Sequence, residues 1–584
     1  MFSKILVANR GEIAVRIIRS CRSLGIESVA VHSAVDASSL HVREADTAID
    51  LGDGPASENY LNIEKIVAAA KEVGAEAIHP GYGFLSENPD FASAIAEAGL
   101  TFIGPSAYAI TQMGGKVAAR ERAIAADVPL APGSDGAVAG AEEVEAFGAA
   151  HGYPLLIKAS AGGGGRGMRR VNDAAEAAEA FRSAVQEAKS AFSNGEVYLE
   201  RYLTHARHVE VQVFADTHGR TVYIGDRDCS VQRRHQKLVE ESPAPGLSDD
   251  LRRAMGEAAV RLAEEVGYVG AGTVEFLQEG DAFYFLEMNT RIQVEHPVTE
   301  LVHGVDLVAE QIRVAAGEPL SIGDNLAPKG AAIEARINAE DVSDGQFIPA
   351  PGPVDSLEAP EGEGLRYDTG YVAGDTIQPF YDSLIGKLIA YGPDRDTAID
   401  RLLDGLGRLK IEGVPTTIPA IEKIIAHKDF RELHFSTLWL ESAVDEILAD
   451  SEDRSVVEVG GRFYIVPVFA DYVEGGGYRM PAAAAGSSQE PQSLAGRTGR
   501  GRSKKEAVSD GTVKAPMQGS ITEINVAAGQ QVDKGEILFV LEAMKMENSL
   551  AAPVAGVVGA IDVEVGQSIA AGTLLTTITE EGSA

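Results

Sequence analysis

Displaced by 37 positions, the C-terminal part of this chain overlays on itself. Ala515-Pro516 falls on Ala552-Pro553, Gly519 on Gly556, Val526 on Val563, Gly529-Gln530 on Gly566-Gln567, Gly535 on Gly572 and Leu538 on Leu575. Such a repeat restricts the fold tightly, because both copies must bury the same face. Each copy reads as short strands of alternating apolar residues, as in Ser520-Ile521-Thr522-Glu523-Ile524, punctuated by glycines suited to tight turns. Together they predict a flattened antiparallel barrel with pseudo-twofold symmetry over 508–580. Glu542-Ala543-Met544-Lys545-Met546-Glu547 lies between the halves. It places Lys545 in the joining hairpin, with its side chain clear of the core.

The repeat and its Met-Lys-Met turn resemble the biotinyl domain of biotin-dependent carboxylases, a relative of lipoyl domains. The flanking methionines separate the two. The resemblance implies biotin bound covalently to Lys545 by a biotin protein ligase.

At 584 residues the chain calls for three or four domains. The content of 45% hydrophobic and 24% charged residues is that of a globular protein. No apolar run approaches the roughly 18 residues of a membrane helix, and the N-terminus lacks a secretory pattern. Cys21 and Cys229 give neither a disulfide framework nor metal-ligand spacing. These features predict a cytoplasmic chain. The net charge of −36 argues against a nucleic-acid partner.

From Glu474 to about Lys505 the chain is rich in Gly, Ala, Ser and Pro and has no apolar periodicity, so it reads as a linker. Such a linker has a typical reach of roughly 30 Å, and about 100 Å if stretched, which suits a carrier serving separated sites. Before it, Val456-Val457-Glu458-Val459 and Arg462-Phe463-Tyr464-Ile465-Val466 predict a hairpin around Gly460-Gly461.

In the N-terminal part, the strand Lys4 to Ala8, a helix with Ile13, Ile17, Ile18 and Cys21 on one face, and the strand Ser28 to His32 begin an open α/β sheet. The His79 to Asn88 segment, rich in turn residues, reads as an exposed loop of the kind that carries function. Lys158-Ala159-Ser160-Ala161-Gly162-Gly163-Gly164-Gly165-Arg166-Gly167 has the glycines that let backbone N–H groups wrap a polyphosphate, without being a P-loop. Gly272 to Leu277 and Phe283 to Asn289 predict a hairpin in which Glu287 and Asn289 share a face, with Glu275 on the partner strand. Two carboxylates and an amide oxygen are hard ligands suited to Mg²⁺.

These motifs, with Arg227-Asp228-Cys229-Ser230-Val231-Gln232-Arg233-Arg234-His235-Gln236-Lys237, Met288-Asn289-Thr290-Arg291-Ile292-Gln293-Val294-Glu295-His296, Arg336-Ile337-Asn338-Ala339-Glu340-Asp341 and Tyr381-Asp382-Ser383-Leu384-Ile385-Gly386-Lys387-Leu388, resemble biotin carboxylase of the ATP-grasp superfamily from residue 1 to about 445. The implied fold class is multidomain. A pre-ATP-grasp α/β domain (1–114), an ATP-grasp domain (115–316, lid about 131–204, with Gly133, Gly136 and Gly140 as hinge candidates) and a C-terminal α+β subdomain (317–446) are followed by a short hairpin and linker (447–507) and the all-β carrier.

The family reaction is ATP-dependent phosphorylation of bicarbonate to carboxyphosphate, followed by carboxylation of biotin N1′. The resemblance assigns Lys116, Lys158, Gly163, Gly164 and Gly165 to the phosphates. It gives Glu275, Glu287 and Asn289 to Mg²⁺ (or Mn²⁺), and Glu200, Leu203, His208 and Gln232 to an adenine pocket, with His235 near the ribose and phosphates. Arg201 stands where relatives often have lysine. Bicarbonate would meet Lys237, Arg291, Gln293 and the Val294 backbone, with Glu295 as general base. Arg336 would stabilise charge developing on the biotin ring. The chain lacks the length for a carboxyltransferase. The implied protein is therefore the α chain of an acyl-CoA (acetyl- or propionyl-CoA) carboxylase, part of a hetero-oligomer with a separate carboxyltransferase β subunit. The chain of a two-subunit pyruvate carboxylase, or another ATP-grasp carboxylate ligase, is the alternative.

Overall fold

The first apolar run becomes strand β1 (Lys4–Val7), and the helix Gly11–Ser23 buries Ile13, Ile17, Ile18 and Cys21 in one cluster with Ile5 and Val7. The computed structural model describes residues 1–579 except 135, 161–167, 193, 324–325, 344, 449–453, 460–461, 468–510, 516–518, 544–545 and 570–571. Parallel strands β2 (Glu27–His32), β3 (Thr47–Asp50), β4 (Ala77–His79) and β5 (Thr101–Phe102) complete a sheet of order β3-β2-β1-β4-β5. This is the open α/β arrangement expected. The 79–88 loop, expected to be exposed, is instead drawn inward. His79 and Ser86 are buried, and the Asn9 amide nitrogen donates to the carbonyls of Pro80 and Tyr82, each at 2.7 Å.

Strands β6 (Leu155–Ala159), β7 (Met168–Val171) and β8 (Val197–Arg201) form an antiparallel sheet of order β7-β6-β8. With the helices Ala141–His151 and Ala177–Phe192 it encloses its own core around Val144, Leu155, Ile157 and Leu199. This is the region expected to act as a lid. Of its hinge candidates, Gly133 is a position of close approach. A Cβ there would stand 2.9 Å from the Leu199 carbonyl oxygen, so only glycine lets these backbones meet.

Strands β9 (Arg207–Ala215), β10 (Thr221–Arg233), β11 (Gln236–Ser242), β12 (Gly270–Glu279), β13 (Ala282–Asn289) and β14 (Ala331–Asn338) run in the order β13-β12-β9-β10-β11-β14. The sheet continues through Leu384–Gly392 to Leu365–Thr369, all its pairs antiparallel. One sheet therefore joins the expected ATP-grasp and C-terminal regions. It brings side chains from 208 to 387 into one structure.

The chain divides into two compact units, Met1–Ile447 and Leu448–Ala584. In the second, Arg454–Val459 pairs with Arg462–Pro467 as the hairpin expected. The linker from 474 to 505 lies outside the described residues. The barrel has two four-stranded sheets. One runs Thr512–Lys514, Leu574–Thr579, Gly556–Val558, Gln531–Val532; the other runs Met546–Ala551, Ile537–Ala543, Gly519–Ile524, Ser568–Ile569. Moving each strand by the repeat length turns the first order into the second, which is the pseudo-twofold written in the sequence. Ile537–Ala543 and Met546–Ala551 pair antiparallel, with Ala543 opposite Met546. Lys545 falls between these strands in sequence and lies outside the described residues.

Candidate active site

Strand β9 is apolar on one face and carries His208, Glu210 and Gln212 at alternate positions, all buried. Antiparallel register sets Arg227 of β10 opposite Glu210, Glu210 opposite Glu275 of β12, and Glu275 opposite Glu287 of β13. Directly opposed residues share a face, so one row across four strands reads Arg, Glu, Glu, Glu. Its buried end is fully paired. Arg227 is wholly buried and donates to Glu210 Oε1 (2.5 Å), Gln212 Oε1 (2.9 Å), Thr273 Oγ1 (3.1 Å), Thr299 Oγ1 (2.9 Å) and Gln293 Oε1 (2.6 Å). The far end is open, and Glu287 is exposed.

Lys237 of β11 reaches over this row. Its Nζ lies 2.7 Å from Glu210 Oε2, 3.2 Å from Glu275 Oε1 and 2.7 Å from Glu295 Oε1. Burial alone would raise the Glu275 carboxyl, but Lys237 and His208, whose Nε2 is 3.0 Å from Glu275 Oε2, hold it below the usual range. The structure thus sets His208, assigned from sequence to the adenine pocket, against a carboxylate assigned to the metal. Asn289 donates from Nδ2 to Glu275 Oε1 (2.9 Å), and its Oδ1 accepts from Arg291 Nη2 (2.6 Å). Glu275, Glu287 and Asn289 do meet at one end of the hairpin. The Asn289 oxygen, however, already faces a guanidinium.

The segment 290–295 leaves β13 and ends where the helix His296–His303 begins, with Ile292 anchored in the core. Arg291 Nε is 3.3 Å from Glu87 Oε2. Glu295, 1% exposed, accepts from Lys237 and, through Oε2, from Arg336 Nη2 at 2.9 Å. Burial would push its carboxyl up, but Lys237, Arg336 and Arg227 outweigh burial and hold it well below the carboxylate range. Arg336 also donates through Nε to Glu240 Oε1 at 2.5 Å. The arrangement can hold a small anion between cations beside a carboxylate that is already ionised.

On the lid sheet, Lys158 of β6 is ion-paired with Glu200 of β8. Burial, with Lys116 and Arg120 nearby, lowers Lys158 to about 8. Lys116 is exposed at the start of the helix Lys116–Ala125, while Leu203 and Gln232 are buried. His235, with φ +63°, sits exposed in the β10–β11 turn. Gly163, Gly164 and Gly165 lie outside the described residues; the strands flanking them pair Lys158 with Met168. Sequence reasoning gave no role to Glu87, Glu210, Arg227, Glu240 or Lys387. For Glu210 a signal existed, because polar residues at alternate positions of an otherwise apolar strand are costly to bury without purpose.

Four known families match the chain in succession: the biotin carboxylase N-terminal domain (1–110), the carbamoyl-phosphate synthase L chain ATP-binding domain (115–323), the biotin carboxylase C-terminal domain (334–442) and the biotin-requiring enzymes (511–578). The biotin-dependent acyl-coenzyme A carboxylase alpha3 subunit of Mycobacterium leprae is 45% identical over 565 residues, 94% of this chain and 93% of that one. A pyruvate carboxylase subunit of Methanothermobacter thermautotrophicus is 48% identical over 459 residues, 78% of this chain and 93% of that one. Among solved structures, the biotin carboxylase domain dimer of Hydrogenobacter thermophilus 2-oxoglutarate carboxylase, in complex with MgADP, ADP and bicarbonate, superposes with a TM-score of 0.71. It is 46% identical, covering 77% of this chain and 100% of that one.

Proposed function

Because the chain belongs to the biotin carboxylase family and ends in a domain of the biotin-requiring enzymes, we propose that it is the α chain of a biotin-dependent acyl-CoA carboxylase. In this reading it carboxylates biotin on Lys545 and hands the carboxyl group to a separate β subunit. One observation carries the acyl-CoA assignment. The similarity to the Mycobacterium leprae acyl-CoA carboxylase subunit runs through both carboxylase and carrier, over 94% of this chain. The similarity to a pyruvate carboxylase subunit favours a second reading with the same first half-reaction and a different acceptor.

ATP would lie between the lid and the eight-stranded sheet, with Lys116 and Lys158 on its phosphates. Lys158, with its charge weakened by burial, gains most from a polyphosphate. Glu275 and Glu287, opposed across one strand pair with Asn289 beside them, offer the hard oxygen donors that would hold Mg²⁺ or Mn²⁺. When bound, the metal supplies positive charge to the phosphates. Lys237 and Arg291 draw bicarbonate to Glu295, and the planar guanidinium suits a three-oxygen anion.

As bicarbonate claims hydrogen bonds from Lys237, Glu295 loses a compensating cation and becomes more basic. It then takes the bicarbonate proton as a carbonate oxygen attacks the γ-phosphorus and ADP leaves. Carboxyphosphate divides into CO₂ and phosphate; the phosphate accepts the N1′ proton as N1′ bonds to CO₂. Biotin supplies that nitrogen nucleophile. Arg336, fixed by Glu240 and Glu295, faces the charge that develops.

No described helix is long and apolar enough to cross a membrane, in keeping with a cytoplasmic enzyme that meets biotin protein ligase. The test is purification of the native complex. A crotonase-fold carboxyltransferase as the companion chain supports the acyl-CoA reading, whereas an aldolase-type barrel subunit overturns it in favour of pyruvate.

A further inference from the structure

Lys387 is wholly buried in the strand Leu384–Gly392. A buried ammonium costs several kcal/mol unless it is paired, so a lysine at a position that an aliphatic side chain would fill calls for an explanation. Its Nζ has two partners: Glu12 Oε1 at 3.1 Å and the main-chain carbonyl of Val294 at 2.5 Å. Charge compensation accounts for the first. The second is a contact to the backbone one residue before Glu295.

Sheet register gives this contact its meaning. Lys387 stands directly opposite Arg336 of β14. Arg336 holds the Glu295 carboxylate at 2.9 Å while Lys387 holds the preceding carbonyl. Two adjacent cations on adjacent strands therefore grip consecutive residues of one turn, one through the side chain and one through the backbone. The other end of the segment is held by Glu87, which accepts from the Thr290 amide at 3.2 Å and from Arg291. Glu12 Oε1, the partner of Lys387, also accepts from the Tyr82 hydroxyl of the 79–88 loop. The first helix and the 79–88 loop of the N-terminal region thus pin the 290–295 segment at both ends, directly through Glu87 and indirectly through Glu12 and Lys387.

We propose that Lys387 is a positioning residue for bicarbonate activation, holding the Val294 carbonyl so that Gln293 and Glu295 are presented to the anion. The inference rests on the carboxylation site described above. It deepens that reading, because no assignment from the motifs includes Lys387 or Glu12. Nothing reacts on Lys387. Its effect passes through the backbone, where a displacement of about 1 Å costs on the order of 10²-fold in rate.

The test measures biotin carboxylation and bicarbonate-dependent ATP cleavage by the full-length chain and by Lys387→Met, Lys387→Arg and Glu12→Gln. Lys387→Met should lose about 10²-fold in kcat and raise the KM for bicarbonate about tenfold, leaving the KM for ATP within about twofold. Lys387→Arg, which keeps the charge and a donor, should recover about tenfold of that loss. Glu12→Gln should show the same pattern at about a tenth of the size, and it decides the matter if Lys387→Met does not fold.

Bicarbonate constants in Lys387→Met within about threefold of the parent would overturn the proposal. So would an ATP KM that rises in step with that for bicarbonate, because the lysine would then only support the scaffold. Failure of the parent itself to cleave ATP in response to bicarbonate would overturn the carboxylase reading instead.

Discussion

In the C-terminal barrel the described interior is apolar: Val513, Ile521, Leu538, Phe539, Leu541, Leu575 and Ile578 pack in one cluster, and Thr576 is the one buried polar side chain among the described residues. The eight-stranded sheet of the carboxylase unit buries Glu210, Arg227, Glu240, Glu275, Glu334 and Lys387, and packs against Glu295. The barrel joins its strand ladders around an apolar core, and its sequence shows this as a repeat. Glu210, Arg227, Glu240, Glu275 and Lys387 are held by partners on other strands, a helix and a loop, tens to hundreds of positions away, whereas neither carboxylate oxygen of Glu334 has a hydrogen-bond partner and burial raises that carboxyl. The proposed function divides along the same line, with the chemistry assigned to the charged sheet and the carriage assigned to Lys545 of the barrel.

The largest effects should come from disturbing the charged region. Glu295→Gln and Arg336→Ala should each abolish biotin carboxylation while ATP binding, measured by calorimetry, persists. Near-normal carboxylation in either variant would remove these residues from the mechanism. In the interior of the barrel, by contrast, packing should decide the outcome. Phe539, 0% exposed, when replaced by Ala should destabilise the barrel by about 3–5 kcal/mol. Carboxylation of added free biotin by the same chain should continue. Loss of that activity together with barrel folding would show that the two units are not energetically separate.

Acid should also distinguish the regions, since no histidine occurs beyond His434. Burial lowers His41 to about 4. The unfolded ring titrates near ~6.5, so its stability contribution is complete above that pH and is lost as pH falls toward 4. Relative to the parent, His41→Gln should gain about 2 kcal/mol in unfolding free energy between pH 6.5 and pH 5. A constant difference across that range would mean the ring is already protonated or exposed. The smallest change concerns the barrel's exception. Thr576 Oγ1 is buried without a hydrogen-bond partner, so Thr576→Val should be neutral or stabilising by up to about 1 kcal/mol in thermal unfolding.

Much of the architecture was legible in the sequence because it is written in local periodicity. The repeat predicted the barrel, the hairpin of 272–277 with 283–289 was read from its strand-like runs, and Ile13, Ile17, Ile18 and Cys21 marked the buried helix face. The site was legible only where a motif carried it. Family resemblance gave Glu295 and Arg336 separate roles, but nothing local in the sequence reveals that they pair, or that Lys387 is opposite Arg336 and touches Val294. Those facts arise from sheet register between segments far apart in sequence. For the same reason the contact of His208, which the resemblance gives to the adenine pocket, with Glu275 is not visible in its own segment.

In the proposed function the N-terminal unit carboxylates biotin borne on Lys545. The most direct test of this is to incubate the biotinylated chain with ATP, Mg²⁺ and radiolabelled bicarbonate, then measure label that stays with the protein on rapid gel filtration at alkaline pH. Label approaching one equivalent per chain, dependent on ATP, blocked by avidin and absent from Lys545→Arg, is the predicted result. Label that persists in Lys545→Arg, or none in a chain shown to be biotinylated, would contradict it.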